Sequence, residues 1–330
     1  GAKGGEFYTP EQVVKTLVGI LKPKEGESIY DPTTGSGGML IHSTHYIEEQ
    51  GGNPKNVSLN GQEINLSTWA ICKMNMLFHD ATGADIKKGD TIREPKHTNG
   101  GVLKTFDVVL ANPPFSLKNW GLDEAKSDGY NRFIYGLPPK SYGDLAFVEH
   151  MIASLNSKGR MGTVVPHGVL FRGSSEEKIR EGFLKDDLIE AVIGLPQNLF
   201  YGTGIPAALL IINKDKNEER KGKILFIDAS NGFAKEKVKN KLREEDVRKI
   251  IDTFDNFESI ERYSEIVRVK TIEKNDFNLN ISRYVDITEE EEVVDINRVI
   301  NEINTIKLKL EKTEQKLSKD LMELGFNIIK

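Results

Sequence analysis

The sequence has almost no cysteine, no long apolar run and no strong excess of charge of either sign. Its single cysteine, Cys72, excludes a disulfide framework and a four-cysteine zinc site and favours a reducing, cytoplasmic environment. No apolar stretch approaches the roughly 18 residues of a membrane span, and no signal peptide opens the chain. A net charge of −5 over 330 residues argues against a strong, autonomous polyanion binder.

The chain nevertheless contains enough apolar material for a globular core. Hydrophobic residues make up 38% and charged residues 29%, which excludes a disordered or fibrous protein. The length favours about two domains, or one large α/β domain with an appendage. Because the first residue is Gly and Gly1–Gly5 is rich in glycine, we expect the natural N-terminus to lie further upstream.

Strands alternate with helices over the first two thirds of the chain, which indicates a doubly wound, largely parallel sheet. Thr9 is predicted to be the N-cap of the first helix, with Pro10 at its first helical position. Apolar runs predict strands at 28–31, 57–63, 106–111, 161–165, 188–195 and 207–213. Helical spacing predicts helices at about 37–49, 67–78, 144–155 and 244–254.

A glycine-rich turn, Asp31–Gly38 (DPTTGSGG), follows the first predicted strand. Its glycines permit a tight turn and a close approach of the backbone to a ligand. The spacing is not G-x-G-x-x-G and no Lys-Ser/Thr pair follows, which disfavours a dinucleotide site and a Walker A loop. An acid before the glycines suits a cationic ligand, so Asp31 is expected to neutralise an ammonium group or to orient it through water.

Acidic residues also close the next two strands. Glu63 is expected to accept hydrogen bonds from both ribose hydroxyls, and Asp90 to lie where an adenine amino group would be. Three such acids with a glycine loop predict an adenosine that carries a positively charged amino acid, namely S-adenosyl-L-methionine, rather than solvated strand caps. The residues expected to bind this cofactor here are Asp31, Thr34, Gly35, Ser36, Gly37, Gly38, Glu63, Asp90 and Thr91.

The tetrapeptide Asn112-Pro113-Pro114-Phe115 follows the predicted strand 106–111. Its two prolines remove backbone donors and stiffen the turn, which leaves the Asn112 side-chain oxygen and the Pro113 carbonyl as acceptors beside an aromatic ring. Two acceptors that hold both N–H bonds of a planar substrate's NH₂ group favour a pyramidal nitrogen, with its lone pair aimed at the methyl sulfonium. We therefore predict that these four residues are catalytic and that no strong general base is required.

These motifs occur in the order found in amino-methyltransferases, and the chain resembles the N6-adenine DNA methyltransferases. The similarity lies in GEFYTP (5–10), DPTTGSGGML (31–40), GQE (61–63), Asp90 and NPPF (112–115). Further stretches, at 135–140, 143–147, 159–161, 165–173, 195–200 and 204–207, make it resemble more closely the modification (M) subunit of type I restriction-modification enzymes. The likeness is strong over about 5–214 and weak beyond.

The resemblance implies a Rossmann-like methyltransferase fold with a doubly wound mixed sheet and a helical C-terminal extension. It implies methyl transfer to the N6 amine of adenine in double-stranded DNA, in a prokaryotic cytoplasm, away from any membrane. The implied partners are DNA, a specificity (S) subunit and, in the full complex, a restriction (R) subunit.

The resemblance also adds site residues. The turn 6–11 is implied to cover the methionine end of the cofactor, which adds Glu6, Phe7, Tyr8, Thr9 and Pro10 to the cofactor-binding residues. Phe200 or Tyr201 is implied as the second wall for an extruded base. The aromatic and basic loop Lys118–Lys140 is expected to grip the DNA backbone. His42 and His45 lack an acidic or cysteine partner at metal spacing, so no metal site is expected.

We expect a catalytic domain over 1–235, an extension packing on it over 236–285, and a helical, coiled-coil-like docking segment over 286–330, with the family's N-terminal helical domain absent. The docking segment is expected to bind the specificity subunit through a seam of apolar residues at helical spacing: Val293, Ile296, Ile300, Ile303, Leu310, Leu317, Leu321 and Leu324. Two alternatives stay open: a glutamine or RNA-guanine amino-methyltransferase, and a non-catalytic scaffold that binds the cofactor.

Overall fold

The computed structural model describes residues 9–200, 204–287 and 296–324, and the chain divides into two compact units, Gly1–Ile287 and Thr288–Lys330. The helices of the first unit are α1 (Glu11–Leu21), α2 (Gly38–Glu49), α3 (Leu66–Phe78), α4 (Leu122–Ala125), α5 (Asp144–Ala153), α6 (Ser175–Lys185), α7 (Glu244–Asn256) and α8 (Val269–Glu273). The second unit contains α9 (Ile296–Glu323).

Nine strands of the first unit form one sheet, and four short strands form two separate hairpins. The strands are β1 (Ser28–Asp31), β2 (Ser58–Glu63), β3 (Asp85–Lys88), β4 (Thr98–Asn99), β5 (Val102–Leu103), β6 (Phe106–Ala111), β7 (Leu155–Pro166), β8 (Ile189–Gly194), β9 (Ala207–Asn213), β10 (Lys223–Asp228), β11 (Ala234–Lys235), β12 (Asn240–Lys241) and β13 (Ser264–Arg268). The sheet order is β13-β10-β8-β9-β7-β6-β1-β2-β3, with β9 and β13 antiparallel to their neighbours.

The order of strands places a crevice beside the end of β1. The chain passes from β1 outward to β2 and β3, and then returns to place β6 on the other side of β1. In an open α/β sheet, such a reversal leaves a crevice outside the carboxyl ends of the two central strands, where ligands bind. Asp31 ends β1 and Asn112 directly follows β6, so both predicted motifs meet at this crevice.

Apolar cores on both faces of the sheet hold these strands in place. Along β6, Val108 and Leu110 pack into one core with residues of α1, α2, α3 and α7, whereas Val109 and Ala111 pack into the other with residues of α5, α6 and α8. A strand buried on both faces needs a continuous apolar sequence, which Phe106–Ala111 provides. The predicted α/β class, mixed sheet and C-terminal helix are confirmed.

The predicted beginning of the first helix needs correction. The helix begins at Glu11, Pro10 occupies the N-cap position, and no side chain caps it. The hydroxyl of Thr9 instead accepts a hydrogen bond from the side-chain amide of Asn112, 3.1 Å away. A predicted cap is therefore a bridge between two motifs that lie about a hundred residues apart in sequence.

The segment that follows residue 235 is built into the same unit. Its strand β13 pairs with β10 at one edge of the sheet, and Val247, Ile250 and Phe254 of α7 join the core beside α1.

No helix among the described residues combines the length and apolar character that a membrane span requires.

Candidate functional site

A cavity of about 540 Å³ lies at the carboxyl ends of β1, β2 and β6. The predicted site residues that line it are Thr9, Asp31, Thr34, Gly35, Ser36, Gly38, Glu63, Asp90, Thr91, Asn112, Pro113, Pro114 and Phe115. Pro10 lines a second, smaller cleft next to it. Glu6, Phe7, Tyr8 and Tyr201 lie outside the described residues. The cavity thus brings together motifs that are far apart in the sequence.

The glycine-rich turn contains two glycines in the left-handed region of φ. Gly35 has a φ of 53° and Gly37 a φ of 87°, values that favour glycine. Gly37 does not line the cavity, and a Cβ there would lie 2.4 Å from Cε of Met76 and 2.9 Å from Sγ of Cys72. Gly37 therefore permits the turn to pack on α3, so a larger residue would crowd that helix rather than a ligand.

Asp31 carries a buried carboxyl group at the floor of the cavity. One carboxyl oxygen accepts a hydrogen bond from the Thr33 amide at 2.9 Å, and the side chain has no ion pair within the described residues. Burial, with a further contribution from the nearby Glu63 carboxylate, raises the pKa of Asp31 to about 8. Such a group gains most from a cationic ligand, which would restore its charge.

Glu63 is held in one orientation by backbone amides. Its two oxygens accept hydrogen bonds from the amides of Gly35, at 3.0 Å, and Asn65, at 2.8 Å. Burial raises the pKa of this carboxyl group above its ordinary value. Because each carboxylate oxygen can accept more than one hydrogen bond, Glu63 can still receive two hydroxyl donors from the cavity.

Asp90 and Thr91 form another wall of the cavity, and Thr91 links this wall to the glycine-rich turn. Asp90 accepts hydrogen bonds from the amides of Ile92 and Arg93 and pairs with the Arg93 guanidinium at 2.7 Å. The Thr91 hydroxyl donates to the carbonyl of Pro32 at 2.5 Å. Both side chains thus stabilise the wall itself, a structural task that the sequence pattern did not indicate.

Asn112 has one half of its side-chain amide satisfied and the other half free. Its Nδ2 donates to Oγ1 of Thr9, whereas its Oδ1 is buried and has no hydrogen-bond partner among the described residues. A buried polar atom without a partner costs about 1–3 kcal/mol. The cavity therefore contains an acceptor that a ligand's N–H or O–H group would satisfy.

Phe115 and Phe200 form an aromatic corner of the cavity. Their ring centroids lie 5.7 Å apart in an edge-to-face arrangement, and both residues line the cavity. Phe200, one of the two residues left open by the sequence, thus lines the cavity, whereas Tyr201 lies outside the described residues. Phe147 and Ile205 also line the cavity but were missed, although both lie in stretches that carried the family resemblance.

The loop 116–142 is packed more tightly than its composition predicts. Trp120 is fully buried and its indole donates to the Pro139 carbonyl at 3.0 Å. Arg132 is also buried, pairs with Asp128 at 2.8 Å, and donates to the carbonyl of Thr91. Trp120 and Arg132 therefore stabilise the loop and the adjoining cavity wall, and contact between this loop and the DNA backbone stays a prediction.

Comparison with known proteins places this site in a family. The model for the N-6 DNA methylase family matches residues 1–293. The type I restriction enzyme MjaVII methylase subunit of Methanocaldococcus jannaschii is 40% identical over 318 residues, which is 93% of this chain and 54% of the relative's length. The HindI methylase subunit of Haemophilus influenzae is 34% identical over 304 residues, covering 88% and 66%.

Solved structures agree with the sequence relatives. The type I restriction-modification system methyltransferase subunit from Streptococcus thermophilus has a TM-score of 0.79 and 37% identity, over 86% of this chain and 60% of that one. The EcoKI M protein, at 20% identity and a TM-score of 0.68, supports the fold alone. This chain spans about half the length of the M. jannaschii relative. Since the family model covers most of the sequence, the chain belongs to the N-6 DNA methylase family.

Proposed function

We propose that this chain transfers a methyl group from S-adenosylmethionine to the N6 amine of adenine in double-stranded DNA, as the methyltransferase subunit of a type I restriction-modification system. The observation that carries the proposal is the buried Oδ1 of Asn112, which has no partner among the residues that the structure describes and lies in a cavity at the switch point of the sheet. An amine N–H is the donor that this oxygen lacks.

The cavity residues fit the two halves of the cofactor. Asp31, buried without an ion pair, suits the ammonium group of the amino acid, and Glu63, fixed by two amides, suits the ribose hydroxyls. Asp90 and Thr91 bound the region left for the adenine ring. Bound S-adenosylmethionine supplies an electrophilic methyl group on a sulfonium centre.

The acceptor side follows from the geometry of Asn112–Phe115. Oδ1 of Asn112 and the Pro113 carbonyl accept hydrogen bonds from the two N–H groups of the adenine amine, and the ring of Phe115 stacks on the base, with Phe200 packed edge-to-face against Phe115. Holding both N–H bonds withdraws the nitrogen lone pair from the aromatic ring and directs it at the methyl group. As the nitrogen bonds to the methyl group, the methyl–sulfur bond breaks and a neutral thioether leaves. The methylated nitrogen carries the positive charge and is acidic, so its proton passes to solvent without a strong base.

Methyl-acceptor assays with the subunit assembled in its complex test this proposal. Radiolabelled methyl groups should appear in duplex DNA that contains the recognised site, and the product should be N6-methyladenine by mass spectrometry. DNA already methylated on both strands is the control and should accept none. Labelling of RNA or of protein glutamine instead of DNA would contradict the proposal and support the alternative acceptors. Cofactor binding without transfer to any acceptor would support a scaffold.

The ribose assignment predicts a defined loss of cofactor affinity. Glu63→Ala should weaken S-adenosylmethionine binding to the chain by about 1.5–3 kcal/mol for each charged hydrogen bond lost. Isothermal titration calorimetry measures this loss, and Glu94→Gln, which changes an exposed acid nearby, is the control. Thermal unfolding of each variant separates lost binding from lost fold. Unchanged affinity in folded Glu63→Ala would remove the ribose assignment.

The raised pKa of Asp31 predicts that cofactor affinity depends on pH. At pH 6–7 a carboxyl group with a pKa of about 8 is mostly protonated, whereas the ligand's α-ammonium is charged. The ammonium favours the ionised carboxylate, so binding releases a proton and affinity rises by up to about tenfold per pH unit up to pH 8. Calorimetry in buffers of different ionisation enthalpy measures the proton release. Asp31→Asn should flatten the dependence; if it leaves the dependence intact, another group is responsible.

A further inference from the structure

A short β-hairpin carries a positive charge that contrasts with the rest of the chain. The segment 234–242 (AKEKVKNKL) contains four lysines and one glutamate, whereas the whole chain has a net charge of −5. Its strands, β11 and β12, pair with each other in antiparallel register. Between them, the Glu236 amide donates to the Lys239 carbonyl and closes the turn. Positive charge is therefore concentrated on one projecting element.

Asn240 anchors this hairpin to the loop that carries an aromatic wall of the cavity. Its backbone amide donates to the Asn198 carbonyl at 2.9 Å, and its side-chain amide donates to the Gln197 carbonyl at 2.8 Å. Two residues further along that loop, Phe200 lines the cavity and packs edge-to-face against Phe115. The hairpin and the aromatic wall are thus held together by two hydrogen bonds from one residue.

The hairpin also lies close to α1. A cleft of about 190 Å³ lies between the two and is lined by Glu11 and Gln12 of α1 and by Lys239, Asn240 and Lys241 of the hairpin, among others. Glu11 lines both this cleft and the larger cavity, so the two are neighbours. Lys239 and Lys241, which line the cleft, therefore place the hairpin next to the cavity in which the base would be held.

Three of the lysines are available for a partner. Lys235, Lys237 and Lys241 are exposed and form no ion pair within the described part of the chain. Val238, at the tip, is 86% exposed, so the turn projects away from the protein surface. Arg243 differs from them, because Asp246 and Glu245 already pair with it. An unpaired lysine ammonium is a flexible point charge that suits phosphate oxygens.

We propose that the hairpin 234–242 binds the DNA backbone next to the adenine that enters the cavity, with Lys235, Lys237 and Lys241 contacting phosphates. This inference rests on the proposed function. A nucleotide that enters the cavity brings its own flanking phosphates close to the cavity through short covalent links, and the hairpin is a positively charged element near it. Because the protein as a whole is acidic, local cations are needed to offset repulsion at the point of contact.

The test replaces Lys235, Lys237 and Lys241 together by glutamine in the complete subunit, assembled with its partner subunits. The matched control replaces three exposed lysines at the opposite, amino-terminal edge of the sheet: Lys24, Lys55 and Lys158. Fluorescence anisotropy measures the affinity for site-containing duplex DNA between 50 and 200 mM salt. Methylation kinetics give KM and kcat, and co-purification reports assembly of the complex.

The hairpin variant should bind DNA at least about tenfold more weakly near physiological salt, and the slope of log affinity against log salt should fall by about two to three. KM for DNA should rise with kcat and cofactor affinity nearly unchanged, and arginine at the three positions should restore binding. The control should behave as the wild type.

Two results would overturn the inference. The salt slope of the hairpin variant could equal that of the control, which would mean that these lysines contact no phosphate. The variant could instead lose a partner subunit, which would assign the hairpin to an acidic protein surface. If the wild-type complex methylates no DNA, the proposed function fails; if it methylates DNA and only the salt slope is unaffected, the hairpin assignment alone fails.

Discussion

Replacing Asn112 by alanine should lower methyl transfer to DNA by about 10²–10³-fold in kcat, the cost of removing one preorganised polar partner of the reacting group. In the proposed mechanism the amide oxygen acts on the acceptor nitrogen mainly in the transition state, where the lone pair must leave the ring. Because the mechanism assigns Asn112 to the acceptor and not to the cofactor, affinity for S-adenosylmethionine should stay nearly intact. Single-turnover methylation by the assembled complex and calorimetry with the cofactor measure the two effects separately.

Phe115→Ala is the matched comparison for this experiment, because Phe115 lies in the same turn but contributes only a ring face. Loss of base stacking, worth about 1–3 kcal/mol, should raise KM for DNA and leave kcat less affected. The contrast between the two variants distinguishes chemistry from binding at adjacent positions. Near-normal turnover in Asn112→Ala would contradict the lone-pair mechanism, and equal losses in both variants would indicate general disruption of the turn.

The parts of the fold that the sequence predicts best are strands buried on both faces. Three predicted strands, 28–31, 106–111 and 207–213, coincide with β1, β6 and β9, because each apolar run ends at a turn or at the surface. β13 was missed because it is an edge strand of mixed polarity. A strand was expected before Asp90, but the sequence did not delimit it, because β3 buries only Ile86. β10 was missed although Ile224–Ile227 is a buried apolar run of the kind that predicts a strand.

Some features of the candidate site are encoded by a few neighbouring residues, and others depend on contacts between distant parts of the chain. The glycine-rich turn and Asn112–Phe115 are each encoded within a few residues, so their positions at the strand ends could be predicted. The bond between Thr9 and Asn112, and the packing of Gly37 against Met76, depend on contacts between distant segments. Spacing along the chain contains no information about such contacts, which is why Thr9 was predicted as a cap and Gly37 as a ligand contact.

Removing residues 295–330 should leave cofactor binding intact and abolish association with the specificity subunit that we propose as the partner. The helix α9 spans 28 residues and exposes seam residues Ile300, Ile303, Leu310, Leu317 and Leu324, while Val293 of the predicted seam lies outside the described residues. A stripe of exposed apolar residues on so long a helix is stabilised when a partner helix buries it. Lys307 and Glu314 interrupt the seam and disfavour pairing of two identical helices.

A single substitution tests the seam without removing the helix. Ile303→Asp places a charge on the seam and should weaken association by at least about 2 kcal/mol, roughly 30-fold, because a buried charge would have no partner. Thr305→Asp places the same charge two positions away on the opposite side of the helix and should have little effect. Both positions are exposed, so neither change disturbs a core. Co-purification and titration with the specificity subunit measure the difference. If the chain lacking 295–330 still binds that subunit and methylates its site in the complex, then α9 is not the docking element and the interface lies elsewhere in the subunit.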